Sequence, residues 1–433
     1  MTSTNAQPTF KHAVFGLGRI GLPLFSCLHR LYGKFRDTNF VVGVDSNADT
    51  VKAINDGQNI FSDERGLHFN LQEALNAKGK AVLPHMTDWC DADVIWICVP
   101  SPHEDPTSYV NSVLLSIQAM WTRSETGLVI IRSTLPTGST HTLQETYETL
   151  PLAYCPEFTV QGEAVKGILN PSRFVIGVSN DEVWERVHRF GITKPFEEPN
   201  TYLTKVFRMS SDGAESVKLM ANNLLAARLN VLNKHTAILH SLMSEAGYLS
   251  SDIHHEIDKV TEAVGADPRI GSDYLTPSFA FGGGCLPKDL LNSSSVEDQQ
   301  LDTYLFDNLH KDNEDTCYYW AKRIFSHSAF FGNMNIVLVG EGFSDNTDSK
   351  VCSPTHMLKG FLREITATAC VGCEVTCPHI LTVNTVEELQ ALEEKMGACL
   401  LVPCRRSYLN PIMVDYLKKA GDRVFDLTFS ITM

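Results

Sequence analysis

The chain has 433 residues, a length that suits two or three domains, and its 43% hydrophobic and 20% charged residues are typical of globular proteins. The net charge of −15 argues against nucleic acid and anionic membrane surfaces as partners, because both would repel the chain. No apolar run is long enough for a transmembrane helix, and the polar N-terminus does not resemble a signal peptide. Because the twelve cysteines are scattered without paired spacing, we expect reduced thiols and a cytoplasmic protein.

Residues 1–205 alternate short apolar runs with helical patterns, as stacked βαβ units do. The runs are rich in β-branched residues and almost entirely apolar, which is typical of buried strands in a parallel sheet. The predicted strands are His12–Phe15, Phe40–Val44, Val94–Val99, Leu128–Ile131 and Phe174–Val178. We therefore predict a Rossmann-like domain over residues 1–205.

Residues 206–325 form a predicted helical domain. From Ser211 to Ala246 the sequence contains no proline, and apolar residues recur with the period of an amphipathic helix. A helix of about 30 residues spans about 45 Å, which is longer than one domain needs. We expect this helix to connect two domains or to pack against its twin across a dimer.

Residues 326–433 form a second, smaller α/β domain in this interpretation. Its predicted elements are the strand Ile336–Val339, helices over Thr355–Ile365 and Glu387–Met396, and strands over Cys399–Val402 and near Val424–Asp426. The predicted fold class is therefore α/β, with two Rossmann-like domains joined by a long central helix and a helical middle domain.

The first predicted strand runs directly into Gly16-Leu17-Gly18-Arg19-Ile20-Gly21. This pattern follows a strand, opens a helix and is matched by Asp45 at the end of the second strand, which together are typical of a dinucleotide site. Glycines let the backbone approach a pyrophosphate at the helix N-terminus. Asp45 would accept hydrogen bonds from the ribose hydroxyls and repel a 2′-phosphate, so we predict NAD rather than NADP as cofactor.

A second motif, Gly282-Gly283-Gly284-Cys285-Leu286-Pro287-Lys288-Asp289, carries a candidate nucleophile. The glycines allow close approach by a ligand, and the ammonium of Lys288 would favour a thiolate on Cys285. A buried cysteine in a tight turn is the alternative, but Lys288 and Asp289 beside it favour catalysis. Further polar candidates are Ser133, Thr134, Glu157, Lys218 and Asn222, and the last two share one helical face.

The ordered set of motifs closely resembles the UDP-glucose/GDP-mannose dehydrogenase family over nearly the whole chain. The set comprises the glycine fingerprint, the runs 133–138, 156–158, 170–173, 214–222 and 267–271, and the cysteine motif. The resemblance implies NAD-dependent, four-electron oxidation of the C6 hydroxyl of a nucleotide sugar to a uronic acid. It also implies a homodimer about the long helix.

The resemblance further implies a role for each candidate. Cys285 would hold the aldehyde as a thiohemiacetal and then as a thioester. Lys218 and Asn222 would stabilise the C6 oxyanion, Glu157 and Thr134 would position and deprotonate water, and Asp289 would assist proton transfer. The implied cofactor contacts are Gly16, Gly18, Arg19, Ile20, Gly21, Asp45, Pro100, Ser133, Thr134 and Lys288. The implied substrate contacts are Glu157, Phe158, Lys218, Asn222, Arg269, Tyr274, Phe279, Phe281 and Gly282, with Arg269 reaching the substrate of a partner subunit.

The last domain departs from the family pattern. Ser344 and Val351 replace a lysine and an arginine that usually help hold phosphates, and Leu427 and Thr428 follow Asp426 where an arginine is usual. Lys350, beside Val351, could replace one of these cations, but in an extended segment we expect it on the opposite side from Val351. Nucleotide recognition is therefore expected to differ, which leaves a non-standard substrate open beside UDP-hexoses and GDP-mannose.

Two further alternatives are a non-catalytic homologue that only binds NAD or a sugar nucleotide, and a two-electron β-hydroxyacid dehydrogenase, which needs no cysteine. The cluster Cys370, Cys373, Cys377 and His379 has the composition of a zinc site, but the resembled family has no metal there. We therefore predict packing cysteines and no metal.

Overall fold

The computed structural model of the chain describes residues 10–32, 41–197, 204–332, 334–342, 352–369, 377–404 and 409–428. The chain divides into two compact units, Met1–Met220 and Ala221–Met433. No helix in these described ranges is long and apolar enough to cross a membrane.

The first unit is built on a sheet of eight strands within the described residues. The strands are β1 (His12–Phe15), β2 (Val41–Val44), β3 (Lys80–Val82), β4 (Val94–Ile97), β5 (Leu128–Ile131), β6 (Leu152–Tyr154), β7 (Arg173–Val178) and β8 (Lys205–Met209). Their order is β3-β2-β1-β4-β5-β6-β7-β8, and all pairs are parallel except β6 with β7. The order reverses between β1 and β4, and this switch point is where doubly wound sheets bind their ligands.

Helices cover both faces of this sheet. They are α1 (Gly21–Tyr32), α2 (Ala48–Asn55), α3 (Leu67–Asn76), α4 (Ser108–Met120), α5 (Ser139–Thr146), α6 (Ala164–Leu169), α7 (Asp181–Arg189) and α8 (Lys194–Glu197). Successive residues of β1 point to opposite faces, so Val14 packs in one core cluster and Ala13 and Phe15 in the other. This double burial explains why β1 and β5 consist of apolar residues apart from His12.

The predicted long helix is confirmed as α9 (Ser211–Glu245), which ends one residue before the prediction. The helices that follow are α10 (Ser250–Gly265), α11 (Leu286–Leu301), α12 (Leu305–Phe330), α13 (Pro354–Ala369), α14 (Val386–Met396) and α15 (Pro411–Ala420). A second, parallel sheet has the order β10-β9-β11, where β9 is Ile336–Val339, β10 is Ile380–Val383 and β11 is Leu400–Pro403. The predicted α/β class is thereby confirmed.

The strand predicted near Val424–Asp426 is wrong. Val424 makes a single parallel bridge to Leu401, and no strand is formed there in the described residues. The Asp426 carboxylate accepts hydrogen bonds from the N–H of Thr428 at 2.8 Å and from its hydroxyl at 2.6 Å. Val424 is extended, and the N–H groups of Phe425 and Leu427 donate to Leu401 O at 2.8 Å and Pro403 O at 3.1 Å, so the segment runs beside β11 as a bridge without forming a strand.

Candidate active site

The turn after β1 has the geometry of a dinucleotide site. Gly16 has a φ of +84°, and its N–H donates to Val44 O at 2.8 Å. A Cβ on Gly21 would lie 1.7 Å from Gly16 O, so α1 begins in direct contact with the turn. A Cβ on Gly18 would meet no atom within 4 Å, and this exposed position leaves room for a ligand.

Asp45, at the end of β2, is fixed beside this turn. Its carboxylate accepts hydrogen bonds from the N–H of Leu17 at 2.7 Å and the N–H of Asn47 at 2.9 Å. The turn and Asp45 lie at the carboxyl ends of β1 and β2, next to the switch point of the sheet. These residues fit a dinucleotide, with the glycine turn against the pyrophosphate and Asp45 against the ribose.

Gly18 and Gly21 lie next to each other at the start of α1, but we expect replacement by alanine to have different effects at the two positions. We expect Gly21→Ala to lower the unfolding temperature strongly, because the added Cβ would overlap the backbone of Gly16. Gly18→Ala should keep the wild-type unfolding temperature but weaken NAD binding, because its methyl group would occupy ligand space. Thermal unfolding and fluorescence titration with NAD measure both effects, and equal unfolding temperatures for the two variants would contradict the prediction.

The other predicted cofactor residues have varied surroundings. The Arg19 guanidinium pairs with both carboxylate oxygens of Asp63, at 3.0 and 2.9 Å. Ile20 packs half-buried against the core, and Pro100 is exposed after β4. The buried Ser133 hydroxyl donates to Val99 O at 2.7 Å, which ties the ends of β4 and β5 together.

A buried ion pair that sequence reasoning missed holds Glu157. Arg132 follows β5 directly, and its Nη2 donates to the Glu157 carboxylate while its Nη1 contacts Cys155 Sγ at 3.2 Å. Arg132 is 8% exposed and Glu157 is 5% exposed. The available signal was a charged residue immediately after a fully apolar strand, since a buried cation requires an anionic partner.

The environment keeps Glu157 ionised. Burial raises the pKa of Glu157, but the charge and hydrogen bond of Arg132, the N–H of Thr159 at 2.6 Å and the charge of Lys218 together hold it below its usual value. The same pairing raises the pKa of Arg132 against the effect of burial. Glu157 is therefore an anion at neutral pH and a weak base.

Phe158 and Lys218 lie beside this pair. The Phe158 ring has the Arg173 guanidinium 3.9 Å and the Lys218 ammonium 5.7 Å from its centroid, both within cation–π range. Lys218 is buried, at 7% exposure, and Thr134 is half-buried two residues after Arg132. The structure thus brings Glu157, Phe158 and Lys218 together in the first unit.

Glu215, also missed from the sequence, fixes the segment that carries Thr134. Its carboxylate accepts hydrogen bonds from the N–H groups of Gly138 and Thr140, at 2.7 and 2.8 Å, at the start of α5. Burial raises the pKa of Glu215 to about 7, although the bonds from Thr140 and Gly138 lower it. Glu215 precedes Lys218 by three residues, so the first turns of α9 carry both residues.

In the second unit, Asp289 is the centre of a separate polar cluster. Asp289 is fully buried, and its carboxylate accepts hydrogen bonds from Asn222 Nδ2 at 2.6 Å and Lys288 Nζ at 2.5 Å. Asn222 lies one turn beyond Lys218 on α9, as the sequence predicts. The ammonium of Lys288 compensates the buried carboxylate, and Asp289 fixes the amide of Asn222.

Cys285 is exposed and caps α11, four residues before Asp289. Unpaired N–H groups at a helix N-terminus favour an anion at this position. The preceding glycines bring this loop close to another backbone segment: Gly283 N–H donates to Cys352 O at 3.1 Å, and a Cβ on Gly282 would lie 2.3 Å from the same oxygen. The loop that precedes Cys285 is therefore packed closely against the backbone of Cys352.

The remaining predicted substrate residues differ in accessibility. Phe279 and Phe281 are buried in two core clusters, at 0% and 4% exposure. Tyr274 is 47% exposed with a φ of +56°, and burial together with the Cys285 charge raises its pKa. Arg269 is exposed and pairs with Asp267 at 2.6 Å.

Several predictions fall on residues that the structure leaves outside its description, namely Ser344, Lys350, Val351, Cys370 and Cys373. Cys377 is exposed and His379 follows two residues later. Within the described parts of the chain, no group of three or more His, Cys, Asp or Glu side chains could hold a metal ion.

A dinucleotide-binding α/β protein is defined by three features together: the order of the strands in the first sheet, the glycine turn after β1, and Asp45. Residues 10–190 match the NAD binding domain of the UDP-glucose/GDP-mannose dehydrogenase family, and residues 212–315 match the central domain of that family. The chain belongs to this family, and NAD is its cofactor. The predicted family and cofactor are confirmed.

Individual relatives are distant. UDP-glucose 6-dehydrogenase from Campylobacter jejuni is 29% identical over 284 residues, which are 64% of this chain and 66% of that enzyme. UDP-N-acetyl-D-mannosamine dehydrogenase from Pyrococcus horikoshii is 28% identical over 304 residues, 66% of this chain and 65% of that enzyme. The chain thus matches just under two thirds of either relative. The solved structure of a UDP-D-ManNAc dehydrogenase from Pyrococcus horikoshii has the same fold, with a TM-score of 0.76 at 22% identity over 96% of this chain and 93% of that one.

Proposed function

We propose that the protein oxidises the C6 hydroxyl of a nucleotide sugar to a carboxylate, with Cys285 as covalent nucleophile. The observation that carries the proposal is the position of Cys285 at the N-cap of α11, four residues before the buried Asp289 with its partners Asn222 and Lys288. A structural cysteine is usually buried, whereas Cys285 is exposed and follows a glycine loop packed against the backbone of Cys352.

The chemistry proceeds in stages that the chain's own groups support. NAD, when bound, accepts the two electrons and the hydrogen lost from C6 in each oxidation. Between the oxidations, Cys285 Sγ adds to the aldehyde carbon and holds it as a thiohemiacetal, which prevents its escape. The second oxidation leaves a thioester on Cys285, and water then hydrolyses it: the new C–O bond replaces the C–S bond, giving a carboxylate, the thiol and a proton.

We assign the oxyanion to Asn222 and Lys218. Asn222 Nδ2 gives one N–H to Asp289, so its amide is oriented before substrate arrives and its second N–H can donate to the C6 oxygen. Lys218 is a buried ammonium one helical turn away on α9, and it supplies the charge. Asp289 positions Asn222 and Lys288 and accepts the proton released beside the thiol.

Glu157 orients the hydrolytic water rather than acting as a strong base. Its pairing with Arg132 keeps the carboxylate charged but lowers its basicity. Each carboxylate oxygen keeps a lone pair that can accept a hydrogen bond from water. The hydroxyl of Thr134 completes the placement of that water in this proposal.

A UDP-hexose is the preferred substrate in this proposal, since named relatives act on UDP-glucose or UDP-N-acetyl-D-mannosamine. GDP-mannose follows, because Phe279-Ala280-Phe281-Gly282-Gly283 resembles the GDP-mannose branch of the family. The changes at Ser344 and Val351 favour a substrate outside these compounds as the next alternative. A non-catalytic homologue is disfavoured, because the sequence contains the whole candidate set together with the cofactor motif: Cys285, Lys218, Asn222, Glu157 and Asp289.

The first test is the number of NADH molecules formed per sugar consumed. Purified protein is incubated with NAD and each of UDP-glucose, UDP-N-acetylmannosamine and GDP-mannose. We expect two NADH per sugar on one compound, because both oxidations occur at the same carbon. One NADH per sugar would contradict the cysteine mechanism and favour a two-electron hydroxy-acid type of reaction. No NADH on any compound, with NAD bound, would move the search to other substrates.

We further propose that the protein is a homodimer through α9. Five apolar side chains on this helix are between 49% and 66% exposed, namely Met220, Leu224, Val231, Ile238 and Leu242. Successive members are four or seven residues apart, so they form one stripe along the helix. A continuous exposed apolar stripe marks an interaction surface, and a second copy of the same helix would cover it. Arg269 then acts on the partner's substrate.

Substituting the centre of the stripe tests the dimer. Val231→Glu should convert the protein to monomers, because two carboxylates would meet in an apolar interface. Leu115→Glu is the control, since Leu115 on α4 is 58% exposed against 59% for Val231. Sedimentation velocity of the two variants distinguishes them. A monomeric wild type, or a Val231→Glu protein that stays dimeric, would refute the proposal.

A further inference from the structure

Cys285 and Cys352 are two exposed thiols of the second unit, on segments that contact each other. We propose that they form a reversible disulfide when a peroxide oxidises Cys285, so that Cys352 is the resolving cysteine of an oxidative modification site. The proposal rests on the proposed function in one respect: the disulfide stops turnover because Cys285 is the nucleophile. Formation of the bond itself depends only on the two thiols and their surroundings.

Exposure separates these thiols from most other cysteines in the described part of the chain. The buried ones are Cys27, Cys90, Cys98, Cys155, Cys317, Cys399 and Cys404. A buried thiol is shielded from oxidants and stays protonated; burial raises the pKa of Cys98, for example, to about 12. Cys285, Cys352 and Cys377 are exposed, so a peroxide can reach all three.

The surroundings of Cys285 make it the first of these thiols to react. Cys285 is the N-cap of α11, where the unpaired N–H groups of the first turn favour a thiolate, and Lys288 adds a positive charge in that turn. Peroxides oxidise the thiolate form to a sulfenic acid, and accessible thiolates are the most susceptible cysteines. The features that favour Cys285 as a nucleophile therefore also expose it to oxidation.

The backbone brings Cys352 to the loop that precedes Cys285. Gly283 N–H donates to Cys352 O at 3.1 Å, and a Cβ on Gly282 would lie 2.3 Å from the same oxygen. Gly283 is two residues from Cys285, a chain length of at most about 7 Å. The two cysteines thus lie on adjoining turns. A disulfide needs Cα atoms roughly 4.4–6.8 Å apart, so a local movement of these turns is all that the bond requires.

The chemistry is balanced with hydrogen peroxide as the oxidant. The Cys285 thiolate attacks one peroxide oxygen, the O–O bond breaks, and the products are a sulfenic acid on Cys285 and hydroxide. Cys352 Sγ then attacks the Cys285 sulfur, the S–O bond breaks as the S–S bond forms, and water leaves. Overall, two thiols lose two electrons and two protons, and one peroxide becomes two waters. A dithiol reductant reverses the bond by thiol–disulfide exchange.

The test compares three reduced proteins: the wild type, Cys352→Ser and Cys377→Ser. Cys377→Ser is the matched control, because Cys377 is the third exposed cysteine of the described residues. Each protein is treated with excess hydrogen peroxide, quenched with an alkylating agent and digested without reductant, and its peptides are identified by mass spectrometry. Turnover on the substrate found by the sugar panel is measured before oxidation, after it, and after dithiothreitol.

We expect the wild type and Cys377→Ser to yield a peptide that links Cys285 to Cys352, to lose turnover roughly tenfold or more, and to regain it in dithiothreitol. Cys352→Ser should begin with wild-type turnover and then lose it irreversibly, because a sulfenic acid without a resolving thiol is oxidised further to a sulfinic acid. Sulfinic acid on Cys285 of the wild type without the linked peptide, or full recovery of Cys352→Ser in dithiothreitol, would overturn the proposal. A link from Cys285 to Cys377 would overturn it too.

Failure of the proposed function gives a different result. The reduced wild type would then not yield two NADH per sugar, or the linked protein would keep its turnover. The linked peptide is detected by mass alone, so the disulfide is judged independently of activity.

Discussion

Replacing Cys285 by alanine should abolish formation of the uronic acid, with a loss of turnover of roughly a thousandfold or more. Without the thiol, the aldehyde cannot be held as a thiohemiacetal, so the second oxidation has no bound substrate. NADH formation and mass-spectrometric detection of the acid measure the loss. The variant should still bind NAD as the wild type does, because the glycine turn and Asp45 belong to the other compact unit.

Cys352→Ser is the matched control for this result. Cys352 is also an exposed cysteine of the second unit, and its carbonyl accepts the Gly283 N–H from the loop that carries Cys285. Its thiol has no place in the proposed catalytic chemistry, so the substitution should leave turnover near the wild-type value. Equal loss in both variants, or full activity without Cys285, would refute the covalent mechanism.

Strand prediction succeeded where burial on both faces dictates composition. β1, β5 and β9 have the bounds predicted from their apolar runs, because a buried parallel strand needs apolar residues at nearly every position. β3 and β6 have only three residues each, which is too short for a pattern. β8 lies at the sheet edge and includes exposed charged residues, so its sequence resembles a loop.

Candidate residues were predictable from motifs, but their partners were not. Asn222 and Asp289 are 67 residues apart in the chain, and Arg132 and Glu157 are 25 apart, so only the tertiary fold brings each pair together. Phe279 and Phe281 show that a motif does not predict how buried its residues are. The resemblance of their motif predicts contacts with the substrate, yet packing against the core buries both rings.

Arg132→Met should lower the free energy of unfolding by about 3–5 kcal/mol, the usual cost of removing one partner from a buried ion pair. Methionine fills most of the space of the side chain, but the buried Glu157 carboxylate loses the cation that pairs with it directly. Urea unfolding followed by tryptophan fluorescence measures the change, since the ring of Trp96 lies 5.9 Å from the Arg132 guanidinium. Turnover should fall as well, because Glu157 loses the contact that fixes it.

The pH dependence of the decrease in unfolding free energy identifies why Arg132→Met is less stable. In the wild type the pKa of Glu157 is lowered, so its stabilising contribution is present above the unfolded-state pKa and disappears as pH falls through the lowered value. Without Arg132, burial is the largest remaining influence and raises the pKa, so Glu157 should destabilise the variant increasingly as pH rises. The difference in unfolding free energy between wild type and Arg132→Met should therefore be larger at pH 8 than at pH 5. Adding Glu157→Gln to Arg132→Met should remove that pH dependence and restore most of the stability, because the buried carboxylate is replaced by a neutral amide. A loss that is equal at both pH values would instead indicate that Arg132 stabilises the fold by packing alone.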